Sequence, residues 1–237
     1  MASLTKPLAT AAVAMRLSQS GRLDLDAPVG EALHGAPDDI TPRQLLQHAS
    51  GLPAWARLWE DVDDAGLPWG SPAARAHAVA RAAGAPREAA PGTRHRYSDL
   101  GFLVLGGVVE AVGGDRLDRL WEREVRRRAG VDLRWGWPGA AATEDCPVRR
   151  RVVVGEVHDL NAASLGGIAP HAGLFGAVEA VAALGAWHLR AWHGADEGLA
   201  QSTVRAFWSD RGPGSHVLGW DGVTPGGSSA GPRWPLD

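Results

Sequence analysis

Lysine is almost absent from this chain of 237 residues: Lys6 is the only one, and the other 23 of its 24 basic side chains are arginine. Cysteine and tyrosine also occur once each, as Cys146 and Tyr97, and isoleucine twice. A single cysteine excludes an internal disulfide and any cysteine-based zinc cluster, although a secreted protein can do without both. Charge of one sign is lacking too. At a formal net charge of −3, no global basic field recruits nucleic acid or an anionic membrane. The runs Arg126-Arg127-Arg128 and Arg149-Arg150-Arg151 are local and read as solvated ends of helices or loops. No apolar run reaches the ~20 residues that span a bilayer; the best candidate, Leu100 to Val112, carries Glu110. The opening MASLTKPLATAAVAM imitates a signal peptide only loosely, with alanine and threonine in place of leucine and Arg16 directly after. The compartment therefore stays open, cytoplasmic as the sequence is written.

Apolar spacing points to helices. Leu4, Leu8, Ala11 and Met15 recur every three or four residues, predicting a helix over 4–18 that Ser20-Gly21 ends. Pro7 is acceptable only near its first turn. TPRQLLQHASG predicts a short helix with Thr41 as N-cap, Pro42 first and Gly51 past the end. Further helices are predicted near 72–83, from YSDLGF (capped by Ser98 or Asp99) to Gly113-Gly114, from Asp115 to Gly130, and over about 177–192. Strand signal is poor, with only RVVVGEVHDL looking extended. The eleven tryptophans read as core and groove lining, and Glu110, Glu122 and Glu124 as solvent-facing helix positions.

Ser3 and Lys6, at i and i+3, share one helix face. A serine hydroxyl is a weak nucleophile and needs a neighbouring base. Arginine cannot serve, because its pKa above ~12 keeps it charged. A lysine can, where burial and neighbouring cations ease loss of its proton; unshifted, at ~10.4, only about one amine in 2,500 is free at pH 7. With 12 serines in the chain, chance alone gives this spacing about one time in twenty, so the pair is a weak motif by itself. The sole tyrosine strengthens it. Tyr97 stands just before a capped apolar helix, where its phenol could share a proton with Lys6 or a leaving group.

SLTK followed by AVAMRLSQSGRLDLDAPV, then ITPRQLLQHASGLP, then YSDLGFLVLGGVVEAVGG, resembles the serine β-lactamase and penicillin-binding-protein-like superfamily, most closely its class C and esterase-like branch. GEVHDLNAASLGGIAPHAGLFGAVEAVAAL and LGWDGVTPGGSSAG are similar to later segments of that branch. The resemblance implies an α/β fold of the β-lactamase/transpeptidase-like type. It implies Ser3 as the acylated nucleophile, Lys6 as its base partner and Tyr97 as the proton-shuttling member of a Tyr-x-Asn motif. Here that motif reads Tyr-Ser-Asp, so Asp99 stands at a substrate-binding position where asparagine is usual. The implied substrate is a small ester, amide or β-lactam. Neither a metal nor an organic cofactor is implied.

The resemblance also implies a strand-forming segment before the Ser-x-x-Lys helix and a Lys-Thr-Gly or His-Thr-Gly strand towards the end. The sequence starts two residues ahead of Ser3 and stops at Asp237 without that strand. The expectation is a single partial domain over 1–237, truncated at both ends. It would hold mostly the helical part, with most of the sheet missing, and act as a weak or inactive serine hydrolase. Leu4, Leu8, Met15, Leu103 and Val108 would then lack a packing partner and be exposed. A non-catalytic remnant, or a helical module that binds a ligand or partner, is the alternative.

Three rival sites arise. His171-Ala172-Gly173 is a His-x-Gly in the right order, but reads as a loop entering a helix. Gly227–Gly231 matches a nucleophile elbow around Ser229 but has no later histidine. His158-Asp159 and His171 could meet as metal ligands, yet form no His-Glu-x-x-His or tight cluster. They and His48 read as histidines satisfied by backbone groups.

Overall fold

Pro7 decides how the chain opens. It has no N–H, and its ring meets the carbonyl four residues back, so an α-helix cannot run on from Ser3. The computed structural model describes residues 1–196 and 198–223. In it, a 3₁₀ turn, Ala2–Leu4, passes into a π-helical stretch, Lys6–Ala11, and then into α1, Ala12–Gln19. The helix expected over 4–18 is thus one helical run that changes register twice. π turns recur at functional positions, and this one carries Lys6.

Next come α2 (Val29–Ala32), α3 (Pro42–Leu46), α4 (Leu58–Asp64), α5 (Pro72–Ala83), α6 (Asp99–Gly113) and α7 (Leu117–Trp121). A capping box opens α3: Thr41 Oγ1 accepts the Gln44 N–H, and Gln44 Oε1 accepts the Thr41 N–H. The helix ends at Gln47 rather than at Gly51, and His48 turns the chain with a φ of 54°. Ser98, not Asp99, caps α6, its Oγ accepting the Gly101 N–H at 2.9 Å. Asp115 does not cap α7. Arg116 holds that position, and Asp115 accepts only the Arg116 N–H. A π turn, Glu122–Arg126, and α8 (Arg127–Ala129) lead to Gly130.

The remaining elements are β1 (Arg134–Trp135), β2 (Ala142–Cys146), β3 (Arg151–Val154), α9 (Leu160–Ser164), β4 (Leu174–Phe175), α10 (Val178–Trp192) and α11 (Gln201–Ser209). Among the described residues the strands make two antiparallel pairs, β1 with β4 and β2 with β3. At 46% helix and 7% strand, the core has to be built by helices. His171-Ala172-Gly173 leads into the short strand β4, not directly into a helix, because Leu174 and Phe175 pair with Trp135 and Arg134. No expectation from the sequence anticipated α11.

The expected exposure of apolar side chains is the main correction. Leu8, Met15, Leu103 and Val108 are buried, and of the five only Leu4 is exposed, at 52%. The reason is α6, against which α1, α2, α3, α5, α7 and the Lys6–Ala11 stretch all pack. Helices supply the partner that the sequence reading assigned to a sheet. Gly106 makes one of these approaches possible, since a Cβ there would fall inside the Pro170 ring. Glu124 is corrected as well: it is buried and paired with Arg22, while Glu110 is held by Arg75.

Candidate active site

Three hydrogen bonds fasten the first helical run to the segment leading into β4. The Met1 ammonium donates to Leu174 O at 3.0 Å, the Leu174 N–H to Thr5 Oγ1 at 3.1 Å, and the Thr10 hydroxyl to Pro170 O at 2.7 Å. They bracket Ser3 and Lys6 along the chain. Ser3 is exposed, whereas Lys6 is 1% exposed and ranks among the largest fully buried side chains. Its Nζ donates to Ser3 Oγ at 3.1 Å and to Tyr97 Oη at 2.9 Å, and lies 2.6 Å from Asp99 Oδ1. An ammonium has three N–H bonds, and here three oxygens surround it. The four residues singled out from the sequence, Ser3, Lys6, Tyr97 and Asp99, therefore meet at one amine. Asp99 is not free to face a substrate alone, because its carboxylate is engaged by Lys6.

Tyr97 is placed by its neighbours. The Arg96 N–H donates to His48 O at 2.7 Å, the Ser98 N–H to His48 Nδ1 at 3.1 Å, and the Ser98 hydroxyl to Pro53 O at 2.6 Å. The Tyr97 ring then lies on the His48 ring, with centroids 4.3 Å apart. Burial, with help from His216, Lys6 and His95, pushes His48 down to about 2, so a neutral imidazole backs the phenol. His95 Nε2 and His216 Nδ1 are 3.0 Å apart beside it, and burial lowers His216 also, against the raising effect of Asp221. Sequence reasoning missed both histidines. His95 had a signal: in an extended stretch, positions 95 and 97 point to the same side. His216 had none, being distant in the chain.

His171 and Asp159 meet, as the sequence allowed, and with Asp99 they form the close group that the sequence reading did not expect. His171 Nε2 is 3.2 Å from Asp159 Oδ1, and one donor atom from each lies within 4.8 Å of one from Asp99. His158 is not in that group. These three come nearest to a cation-binding set among the described residues, and the Lys6 ammonium supplies the positive charge there. Ser229 and its Gly-x-Ser-x-Gly lie outside the described residues. A cavity of about 690 Å³ between α5, α6 and the loop after α2, lined by Leu33, Val79, Leu103 and Pro170, does not reach Ser3.

Residues 1–234 match the family model described as Beta-lactamase. The chain belongs to the β-lactamase family. It is 28% identical over 252 residues to a protein of Escherichia coli named "Putative D-alanyl-D-alanine carboxypeptidase", covering 93% of this chain and 57% of that one. It is 30% identical over 214 residues to the N-acetylmuramyl-L-alanine amidase of Bacillus subtilis, covering 78% of this chain and 48% of the relative. The chain thus spans about half the length of the curated relatives it matches. A penicillin-binding protein from Bacillus halodurans superposes with a TM-score of 0.62 at 23% identity, over 89% of this chain and 64% of that one. The fold is accordingly the β-lactamase/transpeptidase-like one. Among the described residues, no helix is long and apolar enough to cross a membrane.

Proposed function

We propose that this β-lactamase-family chain is a serine hydrolase that transfers an acyl group from a small ester or amide to Ser3 Oγ and then releases it to water. The observation that carries the reading is the buried Lys6 Nζ, in contact at once with Ser3 Oγ and Tyr97 Oη. Loss of one proton from Nζ to the Asp99 carboxylate, 2.6 Å away, leaves a lone pair able to take the serine proton as Oγ attacks the carbonyl carbon. Tyr97, half-exposed between Lys6 and solvent, is placed to return that proton to the leaving group. Water then attacks the acyl-serine by the same route in reverse. Ser3 stands in a first helical turn, whose N–H groups have no intrahelical acceptor, so its own N–H can face the developing oxyanion. The relatives' names make peptide amides with a terminal carboxylate the first substrates to try.

Turnover is proposed to be slow. The Leu174 N–H of β4 is bonded to Thr5 Oγ1 and so is not free as a second oxyanion donor, and one missing donor typically costs ~10²–10³ in rate. Incubation with a fluorophosphonate and with a fluorescent penicillin, followed by peptide mass spectrometry, tests the reading. The adduct should sit on the Ser3 peptide and vanish in Ser3→Ala. Folded protein that stays unlabelled at Ser3 would end this reading in favour of a non-catalytic helical module.

A further inference from the structure

The acyl-transfer reading uses Asp99 through its contact with Lys6, yet Asp99 faces a second pair of groups. His171 is buried, with Nε2 3.2 Å from Asp159 Oδ1 and Nδ1 without a partner. The same Asp159 oxygen is fixed by the backbone: as N-cap of α9, its Oδ1 accepts the Ala162 N–H at 2.7 Å. Burial would raise the Asp159 carboxyl, but the His171 contact and the Ala162 N–H outweigh it and hold the group below the usual carboxylate range. Asp99 is pinned at the start of α6, its N–H donating to Ala54 O at 2.8 Å. Two carboxylates, from the starts of α6 and α9, thus come within 4.8 Å of each other and of one imidazole. Lys6 lies beyond Asp99, Tyr97 beyond Lys6, and His158 beside Asp159.

We propose that His171 is a positioning residue for acyl transfer: its Nε2 engages the Asp159 carboxylate, so that Asp99 stays turned to Lys6 and Nζ stays between Ser3 and Tyr97. The proposal rests on the Ser3–Lys6–Tyr97 reading above. Like charges this close disfavour each other's ionised form. Without the imidazole, Asp99 swings away or takes up a proton, and either event removes the 2.6 Å contact that steadies Lys6.

His171→Phe keeps the ring bulk and removes both nitrogens. It should slow Ser3 labelling by about tenfold or more, as loss of a group that orients an acid or base does. The informative partner is Asp159→Asn, because asparagine caps a helix as well as aspartate does while carrying no charge. In the His171→Phe background it should restore most of the labelling rate. A His171 that only fills space predicts a double variant no faster than the single one, and that result would overturn the proposal. If His171→Phe does not fold, His171→Gln carries the same comparison. A second measurement needs no labelling. The NMR signals of the His171 ring protons, compared at one fixed pH, should shift in Asp99→Asn, because a carboxylate within 4.8 Å of the ring is gone. Unlabelled Ser3 with that shift present would defeat the acyl-transfer reading and keep the Asp99–His171 coupling. Labelled Ser3 with neither rescue nor shift would defeat the positioning role alone.

Discussion

Lys6 meets three oxygens that the chain supplies from two places far apart, Ser3 at its start and Tyr97 and Asp99 at the start of α6. The spacing Ser-x-x-Lys was legible because a helix face is a local property, and Tyr97 stood out because no other tyrosine competes with it. The approach of Asp99 to Asp159 and His171 was not legible, since it joins positions sixty or more residues apart whose contact depends on packing. A replacement at Lys6 separates base from structural cation. Lys6→Arg keeps the charge, but guanidinium cannot act as a base near neutrality, so labelling of Ser3 should fall by roughly 10²–10⁴, the usual worth of a positioned acid or base. The matching control has to be an exposed arginine such as Arg127, replaced by lysine. Arg16, nearer in the chain, does not serve, because it is buried and donates to Gly198 O. Labelling kinetics of Lys6→Arg equal to the parent would make Lys6 a structural cation.

Helix α6 sets both the site and the core, because its first turn carries Asp99 behind the Ser98 cap and its flank receives the Pro170 loop. The existence of this helix was readable from its cap and from the closing Gly113-Gly114. Which residue capped it was less clear, since serine and aspartate both accept N–H bonds and only the backbone conformation of residue 98 separates them. Its glycines carry information that sequence reading cannot rank. By helix propensity alone, Gly106→Ala should stabilise by up to about 1 kcal/mol. The new methyl, however, would enter the Pro170 ring, and overpacking of this kind costs about 1–3 kcal/mol. Pro170 O is also the acceptor for Thr10, so pushing the loop away strains the tether of the first helical run. The expected outcome is a lower urea midpoint, with slower Ser3 labelling. A Gly106→Ala protein more stable than the parent would show that the Pro170 loop yields without penalty.

Across the molecule, the helical majority was legible in the poverty of strand-forming stretches, but the burial of Leu8, Met15, Leu103 and Val108 was not. Burial depends on what packs opposite, and the partner helices are written elsewhere in the chain. Burial also leaves histidines that the fold holds uncharged. His48, His188 and His216 are all lowered, chiefly by desolvation; His188 donates from Nδ1 to Leu184 O inside a cluster of Trp187, Trp208 and Trp220. In the unfolded chain each titrates near 6.5. Below that pH the unfolded state binds protons that the folded state refuses, so unfolding becomes easier as pH falls. The contribution of these histidines is complete above about 6.5 and declines towards the folded value, about 2 for His48, at up to about 1.4 kcal/mol per pH unit for each. Carboxylates such as the half-buried Asp159 and the buried Glu124, held low by His171 and Arg22 against burial, add their own loss only below about pH 4.5. Urea titrations at pH 7.5, 6 and 5 should therefore show stability falling well before the carboxylates titrate. His188→Phe, which keeps a ring beside Trp208, should flatten that slope by up to about 1.4 kcal/mol per pH unit, and adding His48→Gln should flatten it again. Equal stability at pH 7.5 and pH 5 in the parent protein would mean that these imidazoles take up protons in place, and the neutral backing of Tyr97 would fall with them.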